Sequence, residues 1–333
     1  MCAASTRSTH EVAGAAMFAA LALDLVGELP AGWHPVVWYG KAIGQLEQHA
    51  PHGECARLAY GGGAILIATP LAVLPAMAVQ CLARRTRMTL VRRGYARQGV
   101  AAAAIIEGAA LTSFFALRML AASGRMVRLA LEQSDLPAAR EALANLVSRE
   151  RGDLDAPLVA AAAVESLAEN LSDSVVAPLL CYALFGLPGA AFYRLVNTFD
   201  SMIGYHGQYE HLGKAAARLD DALNFLPARL TAGLIVALAP LFGGDARAAW
   251  RVWRRDAGRT ASPNAGHPMA AAAGALGVQL EKVGHYTLGD ARQPVTPATI
   301  RRAEMMVRTV GGAAILLLEG AVTWREARRA GHD

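Results

Sequence analysis

The chain has 333 residues, 54% of them hydrophobic, against roughly 45–50% for a soluble domain, and a mean hydropathy of +0.28. Only 18% are charged, and the net charge of +5 comes mostly from Arg. Those arginines lack the basic-aromatic pattern of a nucleic-acid surface, and basic segments flanking membrane helices explain them more economically. The four cysteines, Cys2, Cys55, Cys81 and Cys181, form no CxxC and pair with no His at metal spacing. This excludes a zinc site and a disulfide framework.

In chain order, the apolar run Val12–Val26 follows Arg7 and contains Asp24. It predicts an uncleaved first membrane helix, because Glu28-Leu29-Pro30 supplies no convincing cleavage site. His34-Pro35 sits between Trp33 and Trp38, where a lone interfacial His beside aromatic anchors is expected. Residues 59–83 form the clearest span, uncharged and longer than the about 20 residues needed to cross, with kinks expected at Pro70 and Pro75. Residues 99–120 predict a second span, with Glu107 turned toward protein and Arg118 reaching the interface near its end. Ser134-Asp135, followed by Pro137, opens an amphipathic helix that places Leu136, Ala139, Leu143, Leu146 and Val147 on one face. Asp155-Ala156-Pro157 opens the next helix. Residues 175–193 are apolar but broken by Pro178, Gly186, Pro188 and Gly189, which predicts two short helices or a re-entrant hairpin buried in protein. Residues 230–243 and 310–324, the latter with Glu319, are short further candidates. Residues 250–268 are polar, with a turn at Pro263-Asn264-Ala265-Gly266. Residues 269–280 read as helical, 284–297 as a loop, and Pro297 starts the final helical region. No repeat, heptad run or strand-rich block is present.

The expected fold is therefore all-α. It is a polytopic integral membrane protein with about four to five membrane-embedded helices, plus amphipathic and re-entrant helices. Residues 1–333 are expected to form one integrated membrane domain, with a polar, acidic catalytic segment at 123–229 and a peripheral loop-rich segment at 244–308.

The chemistry concentrates between residues 164 and 229. Glu165, Glu169 and Asp173 fall at i, i+4 and i+8, one stripe on a helix rising about 6 Å per step. Asn170, Asn197, Asp200, Arg218, Asp220, Asp221, Asn224 and Arg229 follow. Capping and local ion pairs account for any one of them. Ionisable groups are costly near lipid, so the whole set needs a further reason. There is no GxxxxGK[ST], GxSxG, HExxH or EF-hand pattern. Paired carboxylates can bind Mg²⁺ that bridges substrate phosphates, or take a proton from a nucleophile. Arg218 and Arg229 can clamp phosphate or carboxylate oxygens. The residues alone thus indicate a membrane enzyme acting on an anionic or phosphorylated substrate. Asn197-x-x-Asp200 also superficially fits a membrane prenyltransferase-like transferase.

The blocks Glu165-Ser166-x-Ala168-Glu169-Asn170-x-Ser172-Asp173, Val176-Ala177-Pro178-Leu179 and Gly186-x-Pro188-Gly189-Ala190-x-x-Tyr193-Arg194 resemble the CobD/CbiB family. So do Asn197-Thr198-x-Asp200-Ser201-Met202-x-Gly204-Tyr205 and Ala217-Arg218-x-Asp220-Asp221-x-x-Asn224-x-x-Pro227-Ala228-Arg229. Ser262-Pro263-Asn264-Ala265-Gly266, Ala273-Gly274-Ala275-Leu276-Gly277-Val278, Leu23-Asp24-Leu25 and His34-Pro35-Val36 complete the match, in order over nearly the whole chain. The chain departs from the family pattern at Ser174, usually Gly, at His267, often Trp, at Met269, usually an acid, and at Glu28-Leu29-Pro30.

The resemblance implies adenosylcobinamide-phosphate synthase activity, a ligase reaction of cobalamin biosynthesis. Adenosylcobyric acid is joined to (R)-1-amino-2-propanol or its O-phosphate, with consumption of ATP and with Mg²⁺. It implies a multi-pass protein of the cell inner membrane, in lipid and near other late-pathway membrane enzymes, without a nucleic-acid partner. Glu165, Glu169, Asp173 and Asp200 are then expected in catalysis, the first three also as metal ligands. His34, Asn170, Asn197, Arg218, Asp220, Asp221, Asn224, Arg229 and Asn264 are expected to bind substrate. The segment 84–98, with Arg84, Arg85, Arg87, Arg92, Arg93 and Arg97, belongs in the cytoplasm by the positive-inside rule. If 59–83 and 99–120 each cross once, the acidic segment falls on the other side, away from ATP. The ATP requirement places the site at the cytoplasmic face, so that either one span is re-entrant or the positive-inside rule fails here. The non-enzyme alternative is a membrane sensor or scaffold of related fold, which needs no acidic stripe.

Overall fold

The computed structural model describes residues 2–27, 32, 34–147, 152–205, 207 and 209–330, of which 2–11 and 325–330 are described through their backbone alone. Glu28-Leu29-Pro30 and Trp33 lie outside the described residues. The protein is all-α and polytopic, with four helical stretches among the described residues long and apolar enough to cross a membrane: Glu54–Arg92, Ala156–Ile203, Lys214–Phe242 and Pro297–Trp324. The chain divides into two compact units. Met1–Phe115, Pro178–Leu223 and Ile315–Asp333 make the first; Ala116–Ala177 and Asn224–Ala314 make the second.

In the first unit, α1 (Cys2–Val26), α2 (Pro35–Gln48), α3 (Glu54–Arg92) and α4 (Ala96–Leu111) pack together. On α1, Val12, Ala16 and Ala20 are buried at four-residue spacing, and the stripe continues to Asp24, 2% exposed. Gly108 of α4 meets α1 so closely that a Cβ there would lie 2.8 Å from the Ala19 Cβ. On α3 the buried stripe is mostly small, Gly61, Ala64, Ala68, Ala72, Ala76 and Ala83 with Ile65 the one large member, while Leu66, Ile67, Leu71, Leu74 and Met77 are exposed. Small residues toward protein and large apolar ones outward is the pattern of a helix bathed in lipid. α3 is helical through Pro70 and Pro75. Its 39 residues rise about 58 Å, roughly twice the hydrocarbon core. Arg84, Arg85, Arg87 and Arg92 therefore sit on the end of α3 and not in a loop.

The second expected span is corrected. Residues 99–120 are not one helix: α4 ends at Leu111 and α5 (Leu117–Glu132) starts after a break. Ala116 leaves helical geometry at φ −145°, and its N–H donates to the Ser174 carbonyl. That backbone bond takes a donor that a continuous helix needs for itself. The topological conflict was built on residues 99–120 as one continuous span, and they are not one helix.

The second unit is built around α7 (Ala156–Leu171) and α11 (Gly266–Leu276), both Ala-rich and almost wholly buried. Around α7 pack α5, α6 (Leu136–Leu143), α11 and strand β1 (Gln279–Lys282). The expected starts hold: Asp135 accepts from the Ala138 N–H and Asp155 from the Leu158 N–H, each beside a Pro in the first turn. α6 is shorter than its apolar pattern, ending at Leu143 before Leu146 and Val147. After α7 comes a π turn, Ser172–Val176, and then α8 (Ala177–Ile203). The expected break in 175–193 is at Gly186, φ 71° and ψ −164°, a conformation that suits glycine. The two later spans are longer than their apolar cores suggest: α9 (Lys214–Leu238) contains most of 230–243, and α12 (Pro297–Ala330) contains 310–324.

α10 (Ala246–Asp256) occupies the start of the polar stretch 250–268. α11 ends at Leu276, four residues short of the helical reading, because Gly277 turns left-handed at φ 70°. Beyond it β1 pairs antiparallel with β2 (Tyr286–Gly289), Leu280 opposite Leu288, both fully buried. This hairpin corrects the helical and loop readings of its two strands. Strands of four residues carry too little alternation to be read from periodicity.

Candidate functional site

Three groups of polar side chains occupy the expected positions, two in the second unit and one in the first. The first group closes α7. Glu165 is 5% exposed, and Glu169 and Asn170 are half-buried. Glu165 and Glu169 share the α-helical register. Asp173 falls in the π turn, where the wider ring changes the register, and such turns are frequent at functional sites. Asn170 braces this change: its Nδ2 donates to the Ser166 carbonyl at 3.0 Å, and its Oδ1 accepts from the Ser174 hydroxyl at 3.4 Å. Ser166 Oγ in turn donates to the Leu146 carbonyl at 2.5 Å. Among the described residues no three His, Cys, Asp or Glu side chains converge as a metal-holding cluster. Glu165, Glu169 and Asp173 thus do not form a three-ligand cage made by the protein alone.

The second group belongs to the first unit and joins α8 to the start of α9. Asn197 Nδ2 donates to Asp220 Oδ1 at 3.3 Å, and Asn197 Oδ1 accepts from Arg194 Nη1 at 3.4 Å. Asp220 is 9% exposed, Asp221 half-buried and Arg218 exposed. Arg218 lies within electrostatic reach of Asp221. Asp200 is fixed by its neighbour: a Cβ on Gly204 would fall 2.1 Å from Asp200 Oδ1, so only glycine fits there. The Gly204 N–H donates to the Asp200 carbonyl. Arg194 is the member that the sequence reading leaves out of the site. Its signal was present, since it lies three residues before Asn197 on one helical face. His34 stands at the N-cap of α2 without a side-chain capping bond.

The third group, in the second unit, links α9 to the loop before α11. Arg229 Nη1 donates to Asn264 Oδ1 at 3.1 Å and to the Phe225 carbonyl at 2.7 Å, with its guanidinium 3.7 Å over the Phe225 ring. Asn264 is 4% exposed and Asn224, five residues before Arg229 on α9, is 2% exposed. Ser262 Oγ accepts from the Asn264 and Ala265 N–H groups, and Thr260 Oγ1 donates to the Ser262 carbonyl. Trp253 Nε1 of α10 donates to His267 Nδ1 at 2.9 Å. Burial holds the His267 pKa below its ordinary value, helped by the Arg229 charge and opposed by the Pro263 carbonyl. A planar guanidinium beside a buried amide is suited to gripping an anionic group.

Below this loop Asp256, its side chain fully buried, receives both Arg255 nitrogens Nε and Nη2, and the Gly289 N–H at 2.9 Å. Burial pushes its pKa up, but Arg255, the Gly289 N–H and Arg259 outweigh it and hold it below the ordinary value. This cluster ties α10 to β2 and is architectural.

The family model for the CobD/Cbib protein matches residues 17–310. The chain is 40% identical over 307 residues to the cobalamin biosynthesis protein CobD of Dehalococcoides mccartyi, covering 91% of this chain and 95% of that relative. It is 40% identical over 319 residues to the cobalamin biosynthesis protein CobD of Mycobacterium tuberculosis H37Rv, covering 93% and 96%. A probable cobalamin biosynthesis protein CobD of Methanothermobacter thermautotrophicus is 40% identical over 273 residues, covering 81% and 85%. No solved structure matches. The polar motifs grouped above all fall inside the matched region, and the chain belongs to the CobD/CbiB family.

Proposed function

We propose that this protein works in cobalamin biosynthesis as an adenosylcobinamide-phosphate synthase of the cell inner membrane. It would join the propionate carboxyl of adenosylcobyric acid to the amine of (R)-1-amino-2-propanol or its O-phosphate. The observation that carries this reading is the family match over residues 17–310, with the polar groups it predicts held on ordered helices.

A carboxylate does not condense with an amine unaided in water. In the proposed route the propionate oxygen attacks the γ-phosphorus of ATP, releasing ADP and leaving an acyl phosphate. The amine then attacks the acyl carbon, the C–O bond to phosphate breaks, and inorganic phosphate leaves. One proton is lost from the ammonium before the attack. Glu165, Glu169 and Asp200 are the candidates to take it, being carboxylates on ordered helix within the family motifs. Arg229 and Arg218 hold the phosphate or propionate oxygens, since phosphoryl transfer depends mainly on positioning and charge. Mg²⁺, when bound, would neutralise phosphate charge. It needs only one or two carboxylates besides the phosphate oxygens, which Glu165 and Glu169 can supply at one turn's separation. That no three-carboxylate cage forms among the described residues is compatible with that donor set. Placing this chemistry at the cytoplasmic face gives it access to ATP.

Complementation tests the reading. A strain blocked between cobyric acid and cobinamide should grow on cobyric acid when this gene is supplied. Growth on cobinamide but not on cobyric acid would reject the synthase.

A further inference from the structure

The loop that carries Asn264 is fastened at its far end by a hydrogen bond that the proposed reaction does not use. His267 is the second residue of α11 and Trp253 lies on α10, so the Trp253 Nε1–His267 Nδ1 bond of 2.9 Å joins two elements across the loop. An indole N–H can only donate, so Nδ1 must accept, and the neutral ring carries its proton on Nε2. The rings meet edge to face with centroids 6.2 Å apart. At the near end, Ser262 Oγ holds the Asn264 and Ala265 N–H groups. Gly266 fits against the Ala257 carbonyl, where a Cβ would lie at 2.1 Å, so the chain cannot slide there. From this loop Asn264 presents its Oδ1, which accepts from Arg229 Nη1 at 3.1 Å.

We propose that His267 is a positioning residue: by accepting from Trp253 it fixes the Asn264 loop, and through Asn264 it aims the Arg229 guanidinium at an anionic group of the substrate, a phosphate or carboxylate. The inference rests on Arg229 and Asn264 binding substrate, as proposed above. A different role would follow if the ring merely filled space, because a Phe of similar size would then replace it. The useful comparison is therefore His267→Asn, whose Oδ1 can accept near the place of Nδ1, against His267→Phe, which keeps the ring and loses the acceptor. Trp253→Phe removes the donor from the other side.

The experiment uses the full chain in detergent and has two arms. The first is amide hydrogen exchange in peptides covering residues 260–268. His267→Phe and Trp253→Phe should each speed exchange at Asn264 and Ala265 by on the order of tenfold, the scale set by one net hydrogen bond. His267→Asn should stay near wild type. Unchanged exchange in His267→Phe overturns the proposal whether or not the enzyme reaction has been observed. The second arm measures steady-state kinetics with aminopropanol phosphate, adenosylcobyric acid and MgATP. His267→Phe should raise KM for one anionic substrate about tenfold with kcat changed less than threefold, and His267→Asn should restore it. Faster exchange with unchanged KM makes the bond architectural and also overturns the proposal. A wild-type protein without synthase activity removes the function reading instead, while the exchange arm still decides whether this bond holds the loop.

Discussion

Arg229 reaches across 35 residues of chain to Asn264, Nη1 to Oδ1 at 3.1 Å, while its guanidinium stacks 3.7 Å over Phe225. The stack and the amide bond are made together by one flat group, which an ammonium lacks. Arg229→Lys should lower kcat/KM by about 10- to 100-fold, the range for a hydrogen bond to a charged group. Thermal unfolding should shift little, because Arg229 is only half-buried. Kinetics within a factor of two of wild type would make the residue architectural.

Arg218 separates the clamp from a local ion pair. It is exposed and Asp221 is its electrostatic neighbour at i+3. A surface pair of that kind contributes about 0.3–0.5 kcal/mol. Arg218→Lys should therefore leave the melting temperature unchanged, while a substrate-clamping role predicts a clear fall in kcat/KM. A kinetically silent variant would move the phosphate site away from this segment.

Gly204→Ala probes Asp200 without touching it. The added Cβ would lie 2.1 Å from Asp200 Oδ1 and 2.6 Å from its carbonyl, so the carboxylate must move. Activity should fall at least about tenfold if Asp200 acts in the reaction, since displacements of about 1 Å can cost 10²-fold. Full activity in a folded Gly204→Ala protein would remove Asp200 from the catalytic group.

Asp256 has an architectural prediction with a definite pH sign. Its folded pKa is depressed, so its stabilising contribution is present above the unfolded value of about 3.9 and is lost as pH falls through the folded value. Acid unfolding of Asp256→Asn should be less pH-dependent below about pH 4. At neutral pH the variant should lose about 3 kcal/mol, the low end for breaking a buried pair, because Arg255 remains 40% exposed. Denaturant titrations at both pH values measure this.

Much of this was legible in the residues, and the failures have identifiable causes. Asp135 and Asp155, each followed by Pro, marked true helix starts, because capping is local chemistry. Gly186 marked the true break in α8 for the same reason. The 99–120 span failed because composition does not reveal that the Ala116 N–H bonds to Ser174, a contact 58 residues away in sequence. The β1–β2 hairpin was hidden by strands of four residues. At the site, Glu165 and Glu169 both lie on the regular helix α7, as their spacing implied, but the π turn at Ser172–Val176 altered the register before Asp173. The pairings Asn197–Asp220 and Arg229–Asn264 join distant segments. Spacing identified their members without revealing which partner each would meet.

The central claim is tested most directly on the purified protein in detergent or nanodiscs. Adenosylcobyric acid, MgATP and either aminopropanol or its O-phosphate are supplied together, and the corrinoid product is weighed by mass spectrometry. The account predicts a corrinoid heavier by the amine less one water, with one ADP and one phosphate released per amide formed. It also predicts loss of that product in Glu169→Gln by at least about 10²-fold. ATP-independent formation of the amide, or no amide from a wild-type protein that is folded and membrane-inserted, would contradict it.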